Sequence, residues 1–257
     1  MPLRFSKALA NFLNHGGSLR QALSYGKIDF RTGAQPATAD AAPTGTLLCT
    51  FTRAGAAHTP EVKSTGTITL TGGGSGNFTS VKVAGLEVLN GTTTFNTSLT
   101  QTAADLAAAI KRNVQNCLVD ATSSSTVVTL SGRPGLGANP NTLVLAGTTA
   151  TITATFGTMT GGTNPANGLN FELSTTGTMT KIGTDTWSGT GVSDGTAGWF
   201  RWKAAVADAD ALDSAEAILR LDGAIATSGG QLNGSSTAIT TGAVQTITSD
   251  QIILALT

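Results

Sequence analysis

Charge is scarce in this chain: 12% of its 257 residues are Asp, Glu, Lys or Arg, and 15 cations balance 15 anions. With no basic field to gather phosphates and no acidic tail, a nucleic-acid partner is not expected. Long apolar runs are missing too. Mean hydropathy is slightly positive, yet no stretch approaches the roughly 18 residues of a spanning helix, so membrane insertion is not expected. The opening "MPLRFSKALANFLNHGG" has two early cations, but Asn11, Asn14 and His15 interrupt its apolar residues and no small-residue cleavage site follows. It does not read as a signal peptide.

Residues that carry chemistry are equally thin. Cys49 and Cys117 are far apart without metal-type spacing; they read as buried free thiols, with a disulfide as the alternative. His15 and His58 are the only histidines, and neither has a second histidine at ligand spacing. No serine is placed in a nucleophile elbow, so a hydrolase triad has no anchor. A glycosidase pair would have to come from Glu172, Asp185, Asp194 and Asp222, and nothing in the spacing nominates any two of them. The expectation is a protein that is not an enzyme, with no catalytic, cofactor-binding or metal-ligating residues.

Two motifs have a functional and a plain reading. "GGGSG" at Gly72 to Gly76 lacks the Lys-Ser/Thr pair of a phosphate loop and reads as a hairpin turn that uses glycine's freedom at positive φ. "DADALDSAE", from Asp208 to Glu216, gathers four carboxylates. It could ligate calcium, but it lacks the EF-hand frame and reads better as a solvated loop or short helical turn.

What is abundant is Thr, Ala and Gly, the composition of β-structure with many tight turns. A low-charge surface of this kind suits a subunit locked into a large assembly. Leu3, Phe5, Leu9, Phe12 and Leu13 make a helical stripe ending at Gly16 and Gly17, and a second short helix starts at Ser18 as N-cap. "KIDFRTG" alternates, with Ile28 and Phe30 on one face, and "GTLLCTFTR" is a second strand.

From about Ser64 to Thr163 aromatics nearly vanish. Strands flank a helix in which Leu106, Ile110 and Val114 share a face and Thr102 is the expected N-cap. "STVVTLSG", "NTLVLAG" and "ATITATFGTMTGG" then return to strands, a ββ-α-ββ order. The earlier strand grammar resumes in "GLNFELST", "GTMTKIG", "DTWSGTG", "GTAGWFRWKAAV" and "EAILRLDGAIA". It ends in a final strand with Ile247, Ile252, Leu254 and Leu256. The expected fold is mainly β: an antiparallel β-sandwich host domain with short N-terminal helices (residues 1–63 and 164–257) and an inserted α+β domain (residues 64–163).

"SDGTAGWFRWKA" holds two of the three tryptophans. If the strand is regular, Phe200 and Trp202 share one face and fill the core, while Trp199 shares the other with Arg201. There Trp199 sits at an edge or subunit contact, with sugar stacking or a cation–π contact to Arg201 as alternatives. The apolar stripe of Leu9, Phe12 and Leu13 either docks on a neighbour or folds back on the sandwich. These three residues and Trp199 are the candidate assembly contacts.

The opening "LRFSKALANFLNHGGSLRQALSYGKIDFRTGAQPATADAAPTGTLLCTFT" resembles the start of small structural proteins of tailed bacteriophages, in which a short helix leads to a strand and a "TGAQPA-AD-A-TGTLL" loop. "SDGTAGWFRWKA" followed by "LDGAIATSGGQLNGSSTAITTGAVQTITS" resembles their close, with Gln231 where the related pattern more often has Asp. The middle, with "GTITLTGGG", "TAADLAAAIKRNV" and "VVTLSGRPGLGANPNTLVLAG", resembles a module common in phage virion proteins. The resemblance implies a virion component on the exterior of head (capsid decoration), neck, tail or baseplate. Its partners would be copies of itself and other virion proteins. An adhesin-like module binding a host surface glycan is the alternative.

Overall fold

The computed structural model describes residues 2–113, 115–172, 178–233, 236–248 and 251–253. The fold is mainly β with antiparallel sheets. The chain forms two compact units. The first comprises Met1–Leu13, Ser18–Pro60 and Pro165–Thr257, and the second Asn14–Gly17 and Glu61–Asn164.

The first unit opens with strand β1 (Arg4–Phe5), helices α1 (Lys7–Asn14) and α2 (Leu19–Leu23), and strands β2 (Lys27–Thr32) and β3 (Leu47–Arg53). The N-terminal helix is thus shorter than its apolar stripe. Ser6 caps it, its hydroxyl accepting the Leu9 N–H at 3.1 Å. Residues before the cap are drawn into the sheet, Arg4 opposite Asp222 and Phe5 opposite Leu221. Ser18 caps α2 as its sequence predicts, accepting from Gln21 N.

The second unit contains β4 (Thr65–Gly72), β5 (Asn77–Val83), β6 (Leu86–Glu87), β7 (Thr93–Thr94), α3 (Leu99–Arg112), β8 (Val119–Ser124), β9 (Val127–Gly132), β10 (Leu145–Ala150) and β11 (Thr153–Phe156). The "GGGSG" turn is not a hairpin. β4 joins the sheet β11-β4-β9-β8, whereas β5 joins β10-β5-β6, with β7 also on β5. Gly76, at φ +98°, makes the passage possible: a Cβ there would lie 1.8 Å from the Ala150 carbonyl oxygen. α3 starts earlier than expected, capped by Ser98 rather than Thr102. Thr102 is fully buried and donates its hydroxyl to Ser98 O at 2.8 Å. Leu106 and Ile110 enter the core of this unit with Ile68, Phe78, Val81, Val128 and Leu130; Val114 lies outside the described residues. Strand β8 carries little apolar signal and escapes a sequence reading, because only Val119 and Ala121 face inward.

The first unit resumes with β12 (Thr178–Thr180), β13 (Trp187–Thr190), β14 (Gly195–Lys203), β15 (Arg220–Ala226), β16 (Leu232–Asn233), β17 (Ala238–Ile239), β18 (Val244–Ile247) and β19 (Gln251–Ile253). Its large sheet runs β1-β15-β14-β2-β3-β13-β18, with β16 on β15 and β17 on β14. The other sheet among the described residues of this unit is the pair β12-β19. One expected terminal strand is therefore two, β18 and β19. Leu254 and Leu256 lie outside the described residues, as does the side chain of Ile252, and part of "GLNFELST" does too.

The large sheet has one apolar face. Ile28, Phe30, Phe51, Phe200, Trp202 and Leu221 project there and meet Leu9 of α1 and Leu19, Ala22 and Leu23 of α2. Ala197 belongs to the same cluster although its odd position would put it opposite Phe200. A register shift between Ala197 and Trp199 against β2 leaves Gly198 unpaired and advances the alternation by one.

Candidate functional site

The opposite face of the same strands is charged. Arg201 stands between Asp222 on β15 and Asp29 on β2, and Trp199 stands opposite Arg31. Arg220 follows opposite Lys203. In "KIDFR", "RWK" and "RLD" every second residue is charged, and the loops at residues 33–46 and 204–219 supply partners that close over this face. Arg201 and Asp222, both fully buried, form a two-point pair with Nε–Oδ1 and Nη2–Oδ2 at 2.8 Å. Arg220 holds Asp208 in the same way, at 2.7 and 2.5 Å. Lys203 Nζ lies 2.5 Å from Asp29 and 2.6 Å from Asp210, and Arg31 lies 3.1 Å from Asp210. Arg31, Arg201, Lys203 and Arg220 thus balance Asp29, Asp208, Asp210 and Asp222, and the fixed geometry offsets the cost of desolvating them.

The acidic stretch Asp208 to Glu216 is consumed by this layer rather than solvated. Asp208 and Asp210 pair with cations from the sheet, and Asp213 accepts the Ile218 N–H at 2.7 Å. Glu216 reaches Lys7 at the surface. Among the described residues no group of three or more His, Cys, Asp or Glu is arranged to hold a metal ion. The four candidate glycosidase acids do not converge either. Asp222 is in the buried layer, Asp185 pairs with Arg53 at 3.1 Å, Asp194 accepts the Thr241 N–H, and Glu172 donates its backbone N–H to Thr180 O. The expectation that no serine stands in an elbow is corrected as to spelling, since Gly191-Val192-Ser193-Asp194-Gly195 is a Gly-x-Ser-x-Gly. It is, however, a bend leading into strand β14, not the strand-to-helix turn that exposes such a serine.

Two carboxyls of the layer are displaced in opposite directions. Burial pushes Asp208 up, but the Arg220 bonds, the Asp210 N–H and nearby cations outweigh it and hold the carboxyl below its ordinary 3.8. For Asp222 burial wins over Arg201 and the other cations, so its carboxyl is raised. The stability that ionised Asp208 contributes is therefore present above its unfolded value and lost as pH falls through its folded one; the contribution of Asp222 runs the other way and declines as pH rises. Asp208→Asn is expected to flatten the fall in Tm as pH drops through and below the ordinary carboxyl value of 3.8, relative to the parent protein. A pH profile parallel to the parent's would show that Asp208 does not carry this dependence.

The residues expected to make assembly contacts are drawn into the fold. Leu9 is fully buried, and Phe12 and Leu13 pack against the same core, so the helix folds back on its own unit. Trp199 is a correction: it is 0% exposed, its Nε1 donates to Thr32 O at 3.2 Å, and the Arg201 guanidinium lies 5.5 Å from its ring centroid. The strand does divide its aromatics between two faces, but the second face is roofed. A sugar cannot stack on Trp199 in this fold, and Trp199→Ala should lower Tm in the isolated protein rather than affect assembly alone. The cation–π contact with Arg201, one of the two alternatives, is present. Gln231 has a structural part, accepting the Ala224 N–H at 2.8 Å.

Both cysteines are free; Cys49 is buried and Cys117 is exposed, which corrects the expectation that both are buried. Burial, with the nearby Asp29 charge adding to it, pushes the Cys49 thiol up to about 12. A thiol reagent at neutral pH should modify Cys117 alone in the folded protein and both cysteines in denaturant. Fast labelling of Cys49 before unfolding would contradict its burial.

Comparison of the chain with models of known protein families, with curated proteins and with solved structures gives no match.

Proposed function

We propose that this protein is a non-enzymatic structural component of a tailed phage particle, on the exterior of head, neck or tail, acting through self-association and contacts with other virion proteins. The supporting observation is that the phrases carrying the resemblance, from opposite ends of the chain, build one structural element. Arg201 of "GWFRWK" donates to Ala41 O at 3.0 Å, and Arg220, just before "LDGAIA", reaches the carbonyls of Ala39, Asp40 and Ala41 at 3.2–3.5 Å. Those acceptors are the middle of "TGAQPATADAAPTG". The shared phrases are thus the two halves of a loop-to-sheet lock, a physical reason for them to occur together.

With Leu9 and Trp199 internal, contact candidates on the first unit shift to large apolar side chains that face solvent: Val192 (57% exposed), Leu212 (65%) and Val244 (70%). The test is binding of the purified protein to particles and to isolated virion proteins, with electron microscopy of particles labelled within residues 72–76. Stable density at defined positions on the particle is the expected result. A monomer that binds neither particles nor virion proteins would overturn the reading. Retention on a host-glycan array without particle binding would favour the adhesin alternative, through residues other than Trp199.

A further inference from the structure

Lys203 is a primary amine closed off from water inside the charged face. Its side chain is 3% exposed, and its Nζ lies 2.5 Å from Asp29 Oδ2 and 2.6 Å from Asp210 Oδ2. Asp29, 2% exposed, is on the adjacent strand β2, and its other oxygen accepts the Thr50 hydroxyl at 2.6 Å. Asp210 enters from the covering loop in a left-handed conformation, φ +59°, and its Oδ1 is buried without a hydrogen-bond partner. Arg31 Nη2, 3.1 Å from Asp210 Oδ2, aims that carboxylate at the amine. A nucleophile and a carboxyl carbon with its oxygen held by a hydroxyl therefore share one dry site, and a second carboxylate with a free oxygen, its side chain 29% exposed, stands at the edge of that site.

We propose that Lys203 and Asp29 condense into an intramolecular isopeptide bond, with Asp210 as the proton carrier. The pair starts as an ammonium and a carboxylate. Asp210 takes one proton from Nζ and delivers it to Asp29 Oδ2. The freed lone pair attacks Asp29 Cγ and forms the C–N bond, while the Thr50 hydroxyl donates to the charge developing on Oδ1. A second proton follows from nitrogen to Oδ2, the Cγ–Oδ2 bond breaks, and water leaves. One hydrogen stays on the amide nitrogen, Asp210 ends as it began, and no oxidant or other reactant is required. In bulk water, hydration of the ions opposes this condensation. Here that hydration is already lost, the two groups are held in contact, and the amide removes a buried ion pair. The bond would tie β2 to β14, a cross-link suited to a subunit that must resist force, though the chemistry does not depend on the function proposed above.

The test is the mass of the denatured full chain with tandem mass spectrometry of its proteolytic peptides. The expected result is a chain one water lighter than its sequence, with a branched peptide joining the Lys203 and Asp29 segments. Asp210→Asn and Lys203→Arg should each restore the full mass. The measurement is made on denatured protein, so a variant that folds poorly still reports. A parent chain at full sequence mass overturns the proposal. So does a lost water located elsewhere, such as a succinimide at Asp194-Gly195 or Asp222-Gly223. An Asp210→Asn chain that keeps the branched peptide overturns the part given to Asp210.

Discussion

Trp202→Ala is expected to lower the stability of the first unit by about 3–5 kcal/mol, the range for removing a large aromatic from a core that cannot collapse around the gap. Trp202 is 1% exposed and lies at the centre of an aromatic cluster, its ring 5.0 Å from Phe171 in a stacked arrangement and 5.4 Å from Trp187 edge to face. It also ties helix to sheet, its Nε1 donating to Leu23 O at the end of α2 at 3.0 Å. The backbone is as tightly fitted as the ring: a Cβ on Gly26 would fall 2.1 Å from Lys203 O and 2.8 Å from the Trp202 Nε1. Two routes of loss are separable. Trp202→Phe keeps much of the ring volume and removes one of the two donors to the Leu23 carbonyl, which retains the Gly26 N–H at 3.2 Å, so it should cost about 1 kcal/mol. Urea unfolding followed by circular dichroism gives both values. An alanine variant that loses under about 1 kcal/mol would show that the core relaxes into the space, contrary to the packing described.

Arg201→Ala is expected to cost about 3–5 kcal/mol, and for a different reason. The substitution strands Asp222, fully buried, without the guanidinium that meets both its oxygens, and leaves the Ala41 carbonyl only the longer Arg220 contact at 3.5 Å. It also removes the cation beside Trp199. The diagnostic comparison is a double replacement, Arg201→Met with Asp222→Leu, which fills the space with apolar groups and leaves no unpaired charge. It should recover most of the loss, because a buried pair contributes less in itself than its broken half costs. A double-mutant cycle by urea unfolding measures the coupling. If the double variant is as unstable as Arg201→Ala, the pair's importance lies in anchoring the Ala39–Ala41 loop through Ala41 O rather than in charge balance.

The local signals in the sequence are those that depend on near neighbours. Alternation in "KIDFRT" and "GWFRWK" gives strands with Ile28, Phe30, Phe200 and Trp202 on one side, and the Ser18 cap gives α2, because strand pleat and helix cap are set within a few residues. Thr and Gly abundance with few long helical patterns gives a mainly β chain. The aromatic-poor stretch from Ser64 to Thr163 is a compositional feature; in the fold the second unit includes Glu61–Asn164. The start of α1, by contrast, is decided by β15, which recruits Arg4 and Phe5 as a strand although Leu3 and Phe5 fit the helical stripe.

The fate of the charged face was not legible, since a residue's period says which side it faces and nothing about what covers that side. "WFRWK" would look the same with its second face in water. Only when the chain returns Ala39–Ala41 and Asp208–Asp213 over β2, β14 and β15 does Trp199 become internal and the acidic stretch become a set of counter-ions. These partners are separated by up to 181 residues along the chain. The sequence by itself determined the strand faces, the Ser18 cap of α2 and the β-rich class, which follow from backbone geometry and side-chain period. The tertiary structure alone decided which polar face stays wet, because desolvation and ion pairing depend on segments that meet only after folding.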